Sequence, residues 1–251
     1  MPATPSDHRS AAAIATRAGE LLVELRGVLD EHDAHPGLRR AVGDKASHDF
    51  IVEALNEAHP DDAVLSEEGA DDPARVGAPR VWIVDPLDGT REYSEDGRTD
   101  WAVHVALVID GEVAAAAVAL PAHHLTLTAE PPPTPPPPRE GPPLLVVSRT
   151  RPPAVAGALA QHLGGVLYPL GSAGAKAMAV VLGEADIYAH SGGQYEWDSA
   201  APVGVAAAAG LHVSRLDGSP LVYNRPDPWL PDLLICRPEL AEQALEITTR
   251  F

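Results

Sequence analysis

The chain holds a single cysteine, Cys236, in 251 residues. One thiol excludes an intramolecular disulfide and supplies no cysteine metal cluster. No apolar run reaches the ~18 residues that span a bilayer. Met1–Arg9 is polar and no cleavable apolar core follows it, so no secretory signal is expected. Together these absences point to the cytoplasm. Basic residues are also scarce: 18 Lys and Arg stand against 36 Asp and Glu, a formal charge of −18. Nucleic-acid duplexes and anionic membranes need a basic face, so neither is expected as a partner. Such a chain repels a phosphate substrate unless bound Mg²⁺ inverts the local sign. What is abundant is apolar: 45% of residues, much of it alanine. That is a globular composition, long enough for one large domain or two lobes sharing a core.

The chain is organised around Val81-Trp82-Ile83-Val84-Asp85-Pro86-Leu87-Asp88-Gly89-Thr90. Four apolar residues read as a buried strand ending on Asp85, and Pro86 is expected to take the chain out of the sheet. Asp85 and Asp88, followed by a glycine and a hydroxyl, suit a hard divalent cation beside a phosphate. Gly89 lets backbone come close, and the following N–H groups can cradle an anion. The plainer alternative is a polar turn in which the two aspartates cap a helix. Two further acidic segments weigh against it: Ser66-Glu67-Glu68-Gly69 and Trp197-Asp198-Ser199-Ala200-Ala201-Pro202.

In chain order, Ser6–Leu29 reads as an amphipathic helix and Glu31–Gly37 as a loop whose His32 and His35 are poor metal candidates. Val42–Lys45 opens a second helix with Asp44 as its expected N-cap. Ala63–Leu65 is a short strand ending at Glu67-Glu68, a pair that is either solvated or shared with a cation. Trp101–Ile109, Val113–Leu120 and His124–Thr128 read as successive strands, so residues 1–130 form an α+β lobe with two helices on an antiparallel-rich sheet. Nine of the thirteen residues 131–143 are proline, an extended connecting loop or a docking segment for an aromatic-lined module. Residues 144–251 alternate more regularly, as an α/β lobe: strands at Leu144–Val147, Val166–Tyr168, Ala185–Ala189 and Leu233–Cys236, helices at Pro153–His162, through Leu182, at Ser199–Ala209 and at Pro238–Arg250, and a glycine turn at Ser191–Gln194. Gly171-Ser172-Ala173-Gly174 before a helix is a second candidate anion cradle, or simply a helix start.

Asp85–Thr90 together with Trp197–Pro202 resembles the paired signature of the inositol monophosphatase superfamily, Mg²⁺-dependent, lithium-sensitive phosphatases. Glu67-Glu68 matches the family's acidic pair, and Asp44 falls where the family has another Asp. Gly89–Tyr93, Gly171–Lys176 and Leu216–Asn224 resemble the CysQ-type 3′-phosphoadenosine 5′-phosphate phosphatases of that superfamily, which release the 3′-phosphate and leave AMP. The resemblance implies a layered αβαβα sandwich, usually a homodimer. It implies that Glu67, Asp85 and the Leu87 carbonyl hold one Mg²⁺, that Asp85, Asp88 and Asp198 hold a second, and that a weaker third lies near Glu67. It makes Thr90, Asp44 and Glu67 the catalytic group, with Thr90 aligning a water and Asp44 polarising it. Gly89, Thr90, Arg91, Ser148, Arg149, Ser172, Lys176 and Asp198 are the candidate substrate contacts. For Lys176 a solvated helix lysine is the alternative, and Trp197 is expected to pack rather than stack on a base. Inositol phosphate or fructose-1,6-bisphosphate are alternative substrates. A non-catalytic Mg²⁺ or nucleotide sensor, or an adaptor displaying the proline run, are alternatives of another class.

Overall fold

Thr4 and Asp7 cap each other reciprocally at the start of the first helix, with Pro5 in its first turn. The computed structural model describes residues 2–251. Helix α1 runs Pro5–Glu31 and α2 runs Pro36–Ala58. Their apolar faces, Ile14, Ala18 and Leu22 of α1 with Ile51 and Leu55 of α2, cover one side of a five-stranded sheet. Its strands are β1 Ala63–Ser66, β2 Arg80–Asp88, β3 Ala102–Ile109, β4 Glu112–Leu120 and β5 Leu125–Thr128, in that spatial order. Strands β1 and β2 run parallel; the rest pair antiparallel. A short helix, α3 Thr90–Ser94, leaves the end of β2.

A second sheet follows the proline run. It holds β6 Leu144–Ser148, β7 Val166–Leu170, β8 Ile187–Tyr195, β9 His212–Ser214 and β10 Trp229–Cys236, ordered β7-β6-β8-β10-β9. Helices α4 Ala154–Leu163 and α7 Ala241–Thr248 cover its outer face through Val155, Leu159, Ala244 and Ile247. Helices α5 Ala173–Val181 and α6 Glu196–Ala208 fill the space between the sheets. There Met178, Val180, Ala201 and Val205 pack with Ile83 and Ala106 of one sheet and Tyr188, Leu233 and Ile235 of the other. The layers therefore run αβαβα, as expected.

Three local expectations are corrected. The second helix starts at Pro36, with His35 as its N-cap and the proline in its first turn, so Asp44 is its ninth residue and caps nothing. Strand β2 does not stop at Asp85: it continues through Pro86 to Asp88 as a bulge. Asp85 pairs with His104 and Asp88 with Ala102, so Pro86 and Leu87 stand against the single Val103. A missing proline N–H is tolerated at such a bulge. Ser191–Gln194 is no turn either. It lies within β8, where Gly192 and Gly193, both at positive φ, stand against Pro231 alone. The proline run has no helix or strand; Arg237 Nη2 donates 2.8 Å to the Pro136 carbonyl, and Pro136 covers Gly183.

Candidate active site

The β2 bulge makes the site. In a regular strand, residues three apart point to opposite faces. The extra residue between Asp85 and Asp88 brings both carboxylates to the face that packs on α5 and α6. Asp198, third residue of α6, meets them there. One oxygen from each of Asp85, Asp88 and Asp198 lies within 4.8 Å of the others. Asp198 is aimed by the Tyr195 N–H, which donates to it at 2.6 Å, and Asp85 accepts the Leu87 N–H at 3.1 Å. Glu67, just past β1, sits against Asp85 from the exposed rim.

The charges in this cluster are not balanced by protein groups. Burial, and then Glu67, Asp88 and Asp198, push the Asp85 carboxyl well above the ordinary range. Burial and Asp88 push Asp198 up to about 6. Desolvation in the cleft and the Asp198 charge push Glu67 up as well. Asp88 is the exception. Its burial is outweighed by His104, Lys176 and the Gly174 N–H, which hold it below the usual value. An all-oxygen set short of positive charge fits a hard divalent cation. Glu67, Asp85, Asp88, Asp198 and the Leu87 carbonyl are the groups that could hold one.

Beside the cluster, Thr90 Oγ1 lies 3.3 Å from Asp44 Oδ1 and 3.1 Å from the Leu87 carbonyl. Burial and the neighbouring Glu68 charge push Asp44 up to about 6. Gly89 precedes α3 at φ +86°, and a Cβ there would stand 2.8 Å from Cβ of Ser172. A side chain is thus excluded twice, by conformation and by space. Arg91 is exposed on the next turn.

The predicted contacts of the second half are engaged by the protein itself. Ser172 caps α5 and accepts the Ala175 N–H at 3.0 Å. Lys176 is 4% exposed. Its Nζ donates to the Gly171 and Ser172 carbonyls at 2.5 and 2.7 Å, over the Tyr188 ring. It is neither the solvated lysine nor a group reaching into the open cleft. Arg149 bridges from the end of β6 to Glu92 at 2.6 Å and Glu95 at 2.7 Å on the α3 side. Ser148, half-buried, accepts the Arg151 N–H. Trp197 packs face to face on Tyr195, ring centroids 4.7 Å apart, as the packing expectation had it.

Two residues at the site carry no sequence signal. Asp100 accepts the Gly171 N–H at 2.6 Å, tying the second cradle to the start of β3. His104, fully buried, reaches both Asp88 and the Trp197 carbonyl. It lies in a strand buried along its whole length, so alternation could not single it out.

Known proteins resemble this chain over most of its length. The profile of the inositol monophosphatase family matches residues 9–131 and 143–249, leaving out little but the proline run. A Mycobacterium leprae protein named 3′-phosphoadenosine 5′-phosphate phosphatase is 49% identical, over 94% of this chain and 91% of its own. The 3′(2′),5′-bisphosphate nucleotidase CysQ of Escherichia coli is 33% identical, over 72% of this chain and 78% of its own. The crystal structure of CysQ from Bacteroides thetaiotaomicron superposes with a TM-score of 0.77 at 26% identity, covering 92% of this chain and 97% of that one. With the family profile matching nearly the whole chain and relatives at 49% and 33% identity over most of it, the chain belongs to the inositol monophosphatase family.

Proposed function

We propose that the chain is a Mg²⁺-dependent phosphatase that removes the 3′-phosphate of 3′-phosphoadenosine 5′-phosphate, giving AMP and phosphate by direct attack of water. The single observation that carries this is the convergence of Asp85, Asp88 and Asp198 on one point beside the Thr90–Asp44 pair. The relatives' names give the substrate class. Two Mg²⁺, with a weaker third near Glu67, fit the oxygen donors named above; bound there, they supply a nucleophile at neutral pH and charge stabilisation of the leaving oxygen.

The chain's own groups do the rest. The Thr90 hydroxyl has one proton and two acceptors, Asp44 and the Leu87 carbonyl. With its proton directed to either, its lone pairs remain to accept a hydrogen bond from the attacking water. Asp44 is the base side of that relay, and its raised value keeps it able to take a proton near neutrality. In this reading the N–H groups of Gly89 and Thr90 bind phosphate oxygens. Asp198 holds its geometry through the Tyr195 N–H. Ser172, Lys176, Arg149, Ser148 and Arg91 shape the nucleotide side: Lys176 by holding the 171–172 turn, Arg149 by fixing α3, and Arg91 from the exposed turn. The same reading takes residues 1–130 and 144–251 as two lobes of one cytoplasmic, lithium-sensitive homodimer, with 131–143 as their connector.

The test is phosphate release by purified protein from the adenosine bisphosphate, inositol 1-phosphate and fructose 1,6-bisphosphate, with Mg²⁺ and with EDTA. We expect the highest kcat/KM on the nucleotide, abolished by EDTA. Preference for either sugar phosphate would overturn the substrate assignment, and turnover in EDTA the metal dependence.

A further inference from the structure

His104 sits in the middle of β3, fully buried, where no surface role is open to it. Its Nδ1 is 3.0 Å from the Trp197 carbonyl, at the start of α6. Its Nε2 is 3.2 Å from Asp88 Oδ2 but off the line of a hydrogen bond, and so has no aligned partner among the described residues. The ring is held from a third side by Gly174: a Cβ there would collide with Nε2 and stand 3.0 Å from the Ala102 side chain. Asp88 in turn accepts the Ala173 and Gly174 N–H groups at 3.1 and 2.5 Å. One imidazole therefore touches β2, the first turn of α5 and the segment that carries Asp198. Two of these, β2 and the Asp198 segment, are the separate pieces of chain whose carboxylates must meet.

We infer that His104 is a positioning residue, which fixes the Asp88 carboxylate and the Trp197–Asp198 turn relative to each other and so sets the affinity of the carboxylate cluster for its divalent cation. The argument is geometric. Asp88 and Asp198 sit on elements far apart in sequence, and apart from His104 the aligned donors differ: Asp88 is oriented by the N–H groups at the start of α5, Asp198 only locally, by Tyr195 at the start of its own helix. Among the described residues, only this imidazole spans from the Asp88 carboxylate to the backbone one residue before Asp198. Groups that orient ligands in this way influence cation affinity as strongly as many ligands do. An apolar ring of similar volume would fill the space and lose both contacts. The Trp197 carbonyl and the Asp88 carboxylate are both acceptors, so a glutamine amide would keep a donor for one of them and lose the other contact.

The proposal rests on the metal-dependent reading above, and its test separates the two. Mg²⁺ and Mn²⁺ binding to the wild-type chain, His104→Phe and His104→Gln is measured by calorimetry, without substrate. Melting temperatures are taken in EDTA. We expect His104→Phe to raise the Kd for Mn²⁺ by ~10–100-fold, and His104→Gln, which keeps one of the two donors, to recover part of that loss. The metal-activation curve for turnover should move in the same proportion. If the wild type binds the cation and His104→Phe, folded in EDTA, binds it equally well, the positioning role is wrong while the metal site stands. If His104→Phe does not fold, His104→Leu, smaller and equally without a donor, decides instead: unchanged affinity in that variant, folded in EDTA, overturns the proposal. If the wild type itself binds no divalent cation, the metal reading fails first.

Discussion

Thr90 Oγ1 approaches Asp44 Oδ1 to 3.3 Å, joining the first residue of α3 to the interior of α2. In the proposed mechanism the two side chains act as a unit. Asp44→Asn and Thr90→Val should each lower kcat by ~10²–10⁴-fold, the range for a lost acid–base group. The double variant should be little worse than either single one, because effects within one relay do not add. Steady-state kinetics on the three chains decides it; simple multiplication of the two losses would show that the residues work separately.

The Asp44 position also shows what the sequence could and could not tell. Aspartate is a common cap, and Val42–Lys45 follows a polar stretch, so local rules favoured a helix start there. The true start was legible at His35-Pro36, since proline suits the first helical turn. The motif residues Asp85, Asp88, Glu67 and Asp198 could be chosen from type and spacing, while the layer order followed only from the resemblance to the inositol monophosphatase superfamily. The bulge that turns Asp85 and Asp88 to the same side could not, because a proline after a strand reads equally well as an exit. Lys176 escaped for a different reason. A lone helix lysine is normally solvated, and only the packing of α5 between the sheets shows that its ammonium is enclosed.

Asp85→Asn separates function from stability. The substitution removes a ligand shared by both proposed ions and should cut turnover at least ~10³-fold. It also removes one of the crowded carboxylates. A carboxyl raised in the folded state detracts from stability once pH climbs past its unfolded value, and Asp85 is raised strongly. At pH 8 in EDTA the variant should therefore melt above the wild type, by about 2–4 °C for each kcal/mol of repulsion relieved. Adding Mg²⁺ should stabilise the wild type by mass action and the variant much less. A lower melting point in EDTA would show that Asp85 is held by interactions other than a cation.

Gly89 should tolerate no side chain. Alanine there must take φ near +86° and push against Ser172 at 2.8 Å. Strain of that kind costs about 1–3 kcal/mol. The larger effect should fall on catalysis, because the displaced residues are the proposed phosphate cradle and the neighbouring α5 cap. We expect Gly89→Ala to lower kcat/KM by more than its loss of thermal stability would explain, and Gly97→Ala, at a positive φ with nothing within 4 Å, to affect stability only.

A final prediction concerns acid stability far from the cleft. Arg80 Nη2 donates to Asp7 at 2.7 Å and Arg80 Nε to Asp62 at 2.8 Å, which ties α1 and the β1 approach to the first residue of β2. Burial alone would raise Asp7, but the Arg80 and Thr4 hydrogen bonds outweigh it and hold the carboxyl below its ordinary value. A depressed carboxyl contributes stability above its unfolded value, near pH 4, and loses that contribution as pH falls through the lower folded value. Asp7→Asn should thus lower stability at pH 7 by roughly 1–3 kcal/mol, for a half-satisfied buried arginine pair. The gap between variant and wild type should narrow below pH 4. Melting curves from pH 3 to pH 8 check both parts, with EDTA present so that the carboxylate cluster binds no cation at any point in the series. A gap that stays constant across the range would mean that the Asp7 carboxyl is not held below its ordinary value in the folded chain.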